Sequence, residues 1–272
     1  MECLHPKYIH KQDMVVPCGN CAFCGATRRS DWALRLYYEQ KKHYGSKFVT
    51  LTYADAHLIW DKGSPQLSKP NCEGNSHLQL WFKRVRKAGY KFRYYAVGEY
   101  GSKTYRPHYH IIVFGDVPER VLRGAWHYGH VHIGNVTQAS IMYCLGYIVN
   151  GKAWKMNNGR VRPFCLMSRR PGLGSNYLTP AMKEWHKSGR KNYAIVDGEK
   201  RHLPRYYKTK IFSKIDLVRI AVRDQKLMFK KLVEKIRSPQ MMRMKDPLAY
   251  MRLQRLRLAK AIKFKSKENL TI

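Results

Sequence analysis

The chain has 272 residues, 44% of them hydrophobic, which is typical of a folded protein with one substantial core and an appendage. Its 52 Lys and Arg against 18 Asp and Glu give a net charge of +34, which favours a polyanionic partner such as nucleic acid. No apolar run approaches the roughly 18 residues of a membrane-spanning helix, and "MECLHPKYIHK" lacks the apolar region of a secretion signal. We therefore expect a cytoplasmic protein with no membrane partner.

A cysteine cluster, "PCGNCAFC", comes first along the chain. Cys18, Cys21 and Cys24 follow C-x2-C-x2-C spacing, and Cys3 supplies a fourth thiolate if the intervening loop folds back. Four thiolates suit a structural Zn²⁺, and an odd total of seven cysteines argues against a disulfide framework. Three reduced thiols in a Gly-rich turn are the alternative. A helix follows, with Ser30 as its predicted N-cap.

Strand and helix patterns alternate through the middle of the chain. "KFVTLTY" predicts a strand, and "SHLQLWFKRVRKAG" a helix that ends at Gly89. "KFRYYAVGE" and "HYHIIVFG" predict a hairpin, followed by a short helix in "VPERVLRGAW" and a strand in "GHVHIG". The order β-α-β-β-α-β is the ferredoxin-like or split βαβ pattern, so we expect an α+β fold whose antiparallel sheet carries helices on one face.

Helices dominate the rest of the prediction. "TQASIMYCLGYIVNGK" predicts a helix capped by Thr137, and two basic amphipathic helices follow in "FSKIDLVRIAVRDQKLMFKKLVEKI" and "PLAYMRLQRLRLAKAIKF". We expect three parts: a Cys-rich segment with its helix packed on the core at 1–45, the sheet domain at 46–205, and a basic helical region at 206–272.

Two histidines stand at the start of a predicted strand. Because residues i and i+2 face the same way, His108 and His110 project together while Tyr109 turns to the other face. The hairpin places Glu99 beside them, and two imidazoles with one carboxylate make a metal site that leaves positions open for a substrate oxygen. The alternative is that both histidines merely cap a strand at the surface.

A tyrosine pair lies on the helix that follows. Tyr143 and Tyr147 are four residues apart, so their hydroxyl groups emerge on one face about a turn from each other. Phenols become nucleophiles when a metal or a base stabilises the phenolate, and two of them suggest two successive attacks. Lys152 is a candidate to neutralise a phosphate. Aromatic packing alone is the alternative.

Taken together, these motifs resemble those of the HUH endonucleases: "HYH" resembles the histidine-hydrophobic-histidine motif, "FVTLTY" the first conserved strand, and "YCLGY" the two-tyrosine motif. In order, "PCGNCAFC", "KRVRK", "GEYG", "RPHYHIIVFG", "SRRPGLGSNYL" and "LPRYYK" resemble the replication initiators of gokushoviruses, a branch of the Microviridae. The resemblance covers about the first 208 residues. It departs at Gly146, where relatives often have a lysine before the second tyrosine.

The resemblance implies a rolling-circle initiator with an HUH endonuclease domain at 46–205. Glu99, His108 and His110 would hold Mg²⁺ or Mn²⁺, and one tyrosine would nick the phage origin to give a 5′-phosphotyrosine and a free 3′-hydroxyl. The second tyrosine would cleave the regenerated origin, and strand joining would circularise the displaced strand. The partners would be single-stranded and replicative-form phage DNA with a host helicase and DNA polymerase, in the cytoplasm of the bacterial host.

Two other classes of function stay open at this point. A non-enzymatic single-stranded DNA-binding or packaging protein needs the charge and the aromatic residues but neither the histidine pair nor the tyrosines. A relaxase or transposase shares the metal site, but a conjugative relaxase normally carries its histidine motif after its tyrosine. Here the tyrosines come later, so the chain order favours the replication initiator.

Overall fold

The computed structural model describes residues 3–12, 14–68, 76–101, 103–150, 160–238, 246 and 248–256. The described chain falls into two compact units, one formed by the residues up to Asp31 and those from Asn176 on, the other by Trp32–Ser175. Across the described residues, no helix has the length and apolar character needed to cross a membrane. The three-part division at residues 45 and 205 stays a prediction.

Short strands and helices alternate along the chain. The strands are β1 (Lys7–Ile9), β2 (Met14–Val16), β3 (Lys47–Thr52), β4 (Ile59–Asp61), β5 (Ser64–Gln66), β6 (Arg93–Tyr100), β7 (Pro107–Phe114), β8 (Val131–Asn135), β9 (Phe164–Met167), β10 (Tyr193–Val196) and β11 (Glu199–His202). The helices are α1 (Ala22–Lys42), α2 (His77–Lys87), α3 (Glu119–Gly124), α4 (Gln138–Asn150), α5 (Pro180–Ser188), α6 (Arg205–Ile211) and α7 (Lys214–Ile236). Residues 248–256 are also helical.

A five-stranded antiparallel sheet organises the unit Trp32–Ser175, with the strand order β8-β3-β7-β6-β9. The predicted order of elements is confirmed, since β3, α2, β6, β7, α3 and β8 follow one another along the chain. Strand β7 lies between β3 and β6 and so splits the βαβ unit that those strands form with α2. The α+β class is therefore confirmed, and β9 adds an edge strand that the sequence pattern did not predict.

Helices cover both faces of this sheet, so the prediction of helices on one face is wrong. On one face α2 packs through Leu78, Trp81, Phe82 and Val85 against strand residues such as Val49 and Ile111. On the other, Leu36 of α1 and Leu145 of α4 pack against Tyr95 and Ile112. Strand side chains alternate between the two layers, as the period of two requires. Each central strand is thus buried on both sides.

Helix α1 begins earlier than predicted. It starts at Ala22, inside the cysteine motif, so Ser30 lies in the middle of the helix and the predicted N-cap is wrong. The carbonyl of Cys21 accepts the first helical hydrogen bond, from the N–H of Gly25 at 2.9 Å, which makes Cys21 the capping residue. The predicted cap of α4 is confirmed, because the Thr137 hydroxyl accepts from the Ser140 N–H at 3.2 Å.

The basic C-terminal helices are only partly packed. Ile220 of α7 is buried, but several of its apolar side chains are exposed, among them Ile215, Val218, Val222 and Phe229. The first predicted basic helix is therefore confirmed as a helix with an incompletely buried apolar stripe. In the second, residues 248–256 are helical and residues 257–272 lie outside the described part of the chain.

Candidate active site

The register of the central hairpin places the predicted carboxylate and histidines together. In the β6–β7 ladder Glu99 is directly opposite His108, and Val97 is opposite His110. Side chains two residues apart share a face, so Glu99, His108 and His110 all lie on the face covered by α1 and α4. Tyr109 lies on the opposite face, where its ring packs into the α2 layer. The predicted alternation of the H-x-H motif is confirmed.

His110 is held on three sides by described residues. Its Nε2 lies 2.7 Å from Oε1 of Glu99, and its Nδ1 lies 3.1 Å from Oγ1 of Thr50 on the neighbouring strand β3. The ring of Phe48 stacks parallel to the imidazole with centroids 5.8 Å apart. Only 7% of His110 and 6% of Glu99 are exposed, so the pair is buried as well as hydrogen bonded. These contacts fix the ring orientation and leave Nε2 facing the carboxylate.

Tyr143 brings its phenol to the same point from α4. Its Oη lies 3.3 Å from Oε1 of Glu99 and 3.3 Å from Nε2 of His110, and its ring meets the imidazole edge on at 4.8 Å. The cap at Thr137 sets where α4 begins, and the burial of Leu145 against the sheet sets which face turns inward. A phenol, a carboxylate and an imidazole thus converge within hydrogen-bonding distance of one another.

His108 lies beside this trio without joining it. Its ring is parallel to that of His110, but the ring centroids are 6.3 Å apart. Its Nδ1 lies 2.6 Å from the backbone oxygen of Arg106, which fixes the proton on Nδ1 and leaves the Nε2 lone pair available. Burial lowers the pKa of His108, which favours the neutral imidazole that a cation requires. The opposing Gly101 packs closely behind, since a Cβ there would lie 3.1 Å from Cε1 of His108.

Two predicted catalytic residues are not located. Tyr147 belongs to α4, but its side chain lies outside the described residues, and so does Lys152 as a whole. Their predicted roles stay predictions.

Two contributors to the site were missed in the sequence. Thr50 and Phe48 both lie on β3 and face the histidines, with Thr50 paired to His110 in the ladder. The pattern "FVTLT" carried a usable signal, because its polar residues alternate with the buried Val49 and Leu51. A polar residue repeating every second position on a central strand indicates a polar site on that face.

The four predicted zinc ligands are close together in the other unit. The sulfur atoms of Cys3, Cys18, Cys21 and Cys24 all lie within 4.8 Å of one another. Among the described residues, this is the only group of three or more Cys, His, Asp or Glu side chains close enough to share one ion. The N–H of Asn20, which donates to Cys18, lowers the pKa of that thiol to about 6, whereas burial raises the pKa of Cys24 to about 12.

Comparison with known proteins finds relatives of one kind. Residues 46–152 match the model of a family of replication-associated proteins of the ORF2 type. The chain is 26% identical over 226 residues to replication-associated protein ORF4 of Chlamydia phage 1, covering 71% of this chain and 52% of the relative. It is 38% identical over 107 residues to replication-associated protein ORF2 of Spiroplasma virus 4, covering 36% of this chain and 31% of the relative.

A third relative is replication-associated protein VP4 of Bdellovibrio phage phiMH2K, 25% identical over 215 residues, which are 70% of this chain and 65% of the relative. The chain spans about half the length of the first of these relatives and less than two thirds of each of the three. No solved structure matches the chain. The matched segment 46–152 contains the whole trio of Glu99, His110 and Tyr143.

Proposed function

Residues 46–152 match the family of ORF2-type replication-associated proteins, and from this premise we propose that the chain initiates rolling-circle replication of a phage genome. In this proposal it is an HUH endonuclease that nicks one strand of the replicative-form DNA at the origin. The relatives are named for an association with replication, and the nicking chemistry is our inference from the site.

One observation carries this inference: the Tyr143 hydroxyl lies 3.3 Å from both Glu99 and His110. A phenol is a weak nucleophile at its ordinary pKa of about 10, and a neighbouring base or cation is what activates it. In the proposed step the bond from the Tyr143 oxygen to phosphorus forms as the bond from phosphorus to the 3′ oxygen breaks. The phenol proton ends on the 3′-hydroxyl, and the 5′ end stays attached to the enzyme as a phosphotyrosine.

The donor atoms suit a divalent cation of the Mg²⁺ or Mn²⁺ kind. Neighbouring ligands of an octahedral Mg²⁺ lie about 3 Å apart, and Glu99 Oε1 and His110 Nε2 are 2.7 Å apart. Glu99 and His110 would hold the ion together with His108, whose Nε2 lone pair faces away from its backbone hydrogen bond. When bound, such an ion polarises the scissile phosphate.

The remaining steps assign roles to residues beyond the trio. Tyr147 would make the second cleavage after one round of synthesis, and Lys152 would neutralise phosphate charge. The freed 3′-hydroxyl would then attack the first phosphotyrosine, break the tyrosine–phosphorus bond and close the displaced strand. Covalent storage of the bond energy makes this joining independent of ATP.

The charge of the chain fits a DNA substrate. A net charge of +34 supports binding to single-stranded and replicative-form phage DNA through phosphate contacts that weaken as salt rises. We propose that the protein acts in the cytoplasm of the bacterial host. A host helicase would separate the strands there, and a host DNA polymerase would extend the 3′ end.

The proposal is tested by incubating the full chain with the circular DNA of the phage that encodes it and Mn²⁺, then digesting and searching by mass spectrometry for a nucleotide-modified peptide. We expect an adduct on Tyr143 that disappears with EDTA, in Glu99→Gln and in Tyr143→Phe. The Tyr109→Phe variant is the matched control, because that phenol lies on the opposite face of the same sheet.

Binding without an adduct in any variant would contradict the proposal and favour the non-enzymatic DNA-binding or packaging protein. An adduct on Tyr147 alone would keep the nicking function but assign the first attack to the other tyrosine.

A further inference from the structure

We propose that Cys3, Cys18, Cys21 and Cys24 form a structural zinc site that folds the N-terminal segment, independently of the DNA chemistry. A tetrahedral zinc with Zn–S bonds of about 2.3 Å has its sulfurs about 3.8 Å apart. Cys3 and Cys21 are 3.8 Å apart, and Cys18 and Cys24 are 4.0 Å apart. These separations are nearly twice an S–S bond, so the four thiols have the spacing of metal ligands rather than of disulfides.

Backbone amides surround the sulfurs in a way that suits thiolates. The N–H of Cys18 donates to Cys3 Sγ at 3.1 Å, and that of Leu4 donates to Cys21 Sγ at 3.5 Å. Cys18 Sγ accepts from the N–H groups of Asn20 and Cys21, each at 3.4 Å. Hydrogen bonds donated to sulfur stabilise the charged form that binds zinc, and they hold each ligand in place.

The position of the cluster on α1 adds a second reason. Cys21 caps the helix and Cys24 lies in its first turn, so both sulfurs are close to the positive end of the helix dipole. The turn between Cys18 and Cys21 brings a third ligand to the same end, and Cys3 closes the ring from the start of the chain. One ion would therefore join the segment before α1 to the helix itself.

The N-terminal segment has little else to stabilise it. Among described residues 3–31, Ala22 and Phe23 are the buried apolar residues, with Leu4 and Cys21 packed beside them. The β1–β2 hairpin is largely exposed, including half of Tyr8. So small an apolar cluster does not offset the entropy of ordering such a segment, and metal binding is a usual substitute for a core.

The same site reaches the C-terminal region of its unit. The guanidinium of Arg255 donates to the backbone oxygen of Cys3 at 3.3 Å. Loss of zinc should therefore loosen residues 3–21 and weaken this contact, while leaving the β6–β7 hairpin intact.

The test measures metal content in the full chain purified under reducing conditions. We expect one equivalent of zinc per chain, lost in Cys18→Ser and kept in Cys18→His, because imidazole can replace one thiolate as a zinc ligand. Cys165→Ala is the matched control, since this cysteine lies on β9 in the other unit. The Co²⁺-substituted protein should show the visible absorption of a tetrahedral thiolate site, with a weaker sulfur charge-transfer band in Cys18→His.

A further control separates this site from the proposed catalytic one: His110→Ala should retain its zinc. Hydrogen exchange should accelerate in residues 3–21 when zinc is chelated and stay unchanged in β6 and β7. Wild-type protein without zinc, zinc kept in full by Cys18→Ser, or the absorption of an iron–sulfur cluster would each overturn the proposal. None of these outcomes would bear on the Tyr143 adduct.

Discussion

Replacing Thr50 with valine tests whether β3 orients the central histidine. The two side chains have nearly the same shape, so Thr50→Val removes one hydroxyl from the site and little else. An imidazole that binds a cation through Nε2 carries its proton on Nδ1, and in His110 that nitrogen lies 3.1 Å from Thr50 Oγ1. In the variant this N–H has no acceptor on β3, in a residue that is 7% exposed.

The size of the effect follows from this burial. Leaving a buried donor without its acceptor costs about 1–3 kcal/mol. Loss of a hydrogen bond that orients a metal ligand typically weakens metal binding about 10- to 100-fold, which corresponds to about 1.4–2.8 kcal/mol. The two ranges agree, so we expect the dissociation constant for Mn²⁺ to rise by about one to two powers of ten.

Isothermal titration of Mn²⁺ into the wild type, Thr50→Val and Thr50→Ser measures this effect directly. The serine variant keeps the hydroxyl and should bind Mn²⁺ almost as well as the wild type, whereas the valine variant should not. Equal Mn²⁺ affinity in all three proteins would refute the orienting role. Equal loss in both variants would assign the effect to packing of the threonine methyl group instead.

Three further substitutions probe the fold. Gly129→Ala should cost more than about 3 kcal/mol of unfolding free energy in thermal melts, because the backbone there has φ +154° and a Cβ would lie 2.4 Å from the Thr52 oxygen. Trp81→Phe should cost about 1–3 kcal/mol in urea unfolding, because its Nε1 donates to the buried Leu122 oxygen at 2.9 Å. Burial lowers the pKa of His186, so the urea midpoint should fall as the pH drops below about 6.5, where the unfolded chain takes up the proton first. His186→Gln should flatten that profile.

Each of these predictions has a simple contradicting result. Unchanged melting of Gly129→Ala would mean that the β3 end tolerates a Cβ, and unchanged unfolding of Trp81→Phe would mean that the Leu122 oxygen finds another donor. A pH profile of the wild type that matches His186→Gln would remove that histidine from the acid sensitivity.

The hairpin that carries the site was predictable because its signals are local. A period of two fixed which face His108 and His110 share, and a short turn fixed Glu99 as the opposing residue. The predicted cap at Thr137 likewise depends only on its own helix. Where geometry follows from neighbours in the chain, the sequence pattern was sufficient.

Other features depend on contacts between distant segments. Strand β9 is four residues long and pairs with β6 some seventy residues earlier, so no local pattern marks it. The choice of sheet face by α1 and α4 is also a tertiary matter, since an amphipathic pattern indicates that a helix packs but not on what. The start of α1 was misplaced because Ser30 has the chemistry of a cap, whereas the true cap is a cysteine.

The members of the trio and their support come from very unequal distances along the chain. Glu99 and His110 are 11 residues apart, Tyr143 is 33 residues beyond His110, and Thr50 is 60 residues before it. Short loops close at lower entropic cost, so the carboxylate and imidazole can meet as soon as the hairpin forms. During synthesis, a ribosome that has not yet released α4 therefore exposes a chain with the prospective cation ligands but no nucleophile. The order of the elements thus keeps a half-made initiator from cutting the genome it is being made to copy.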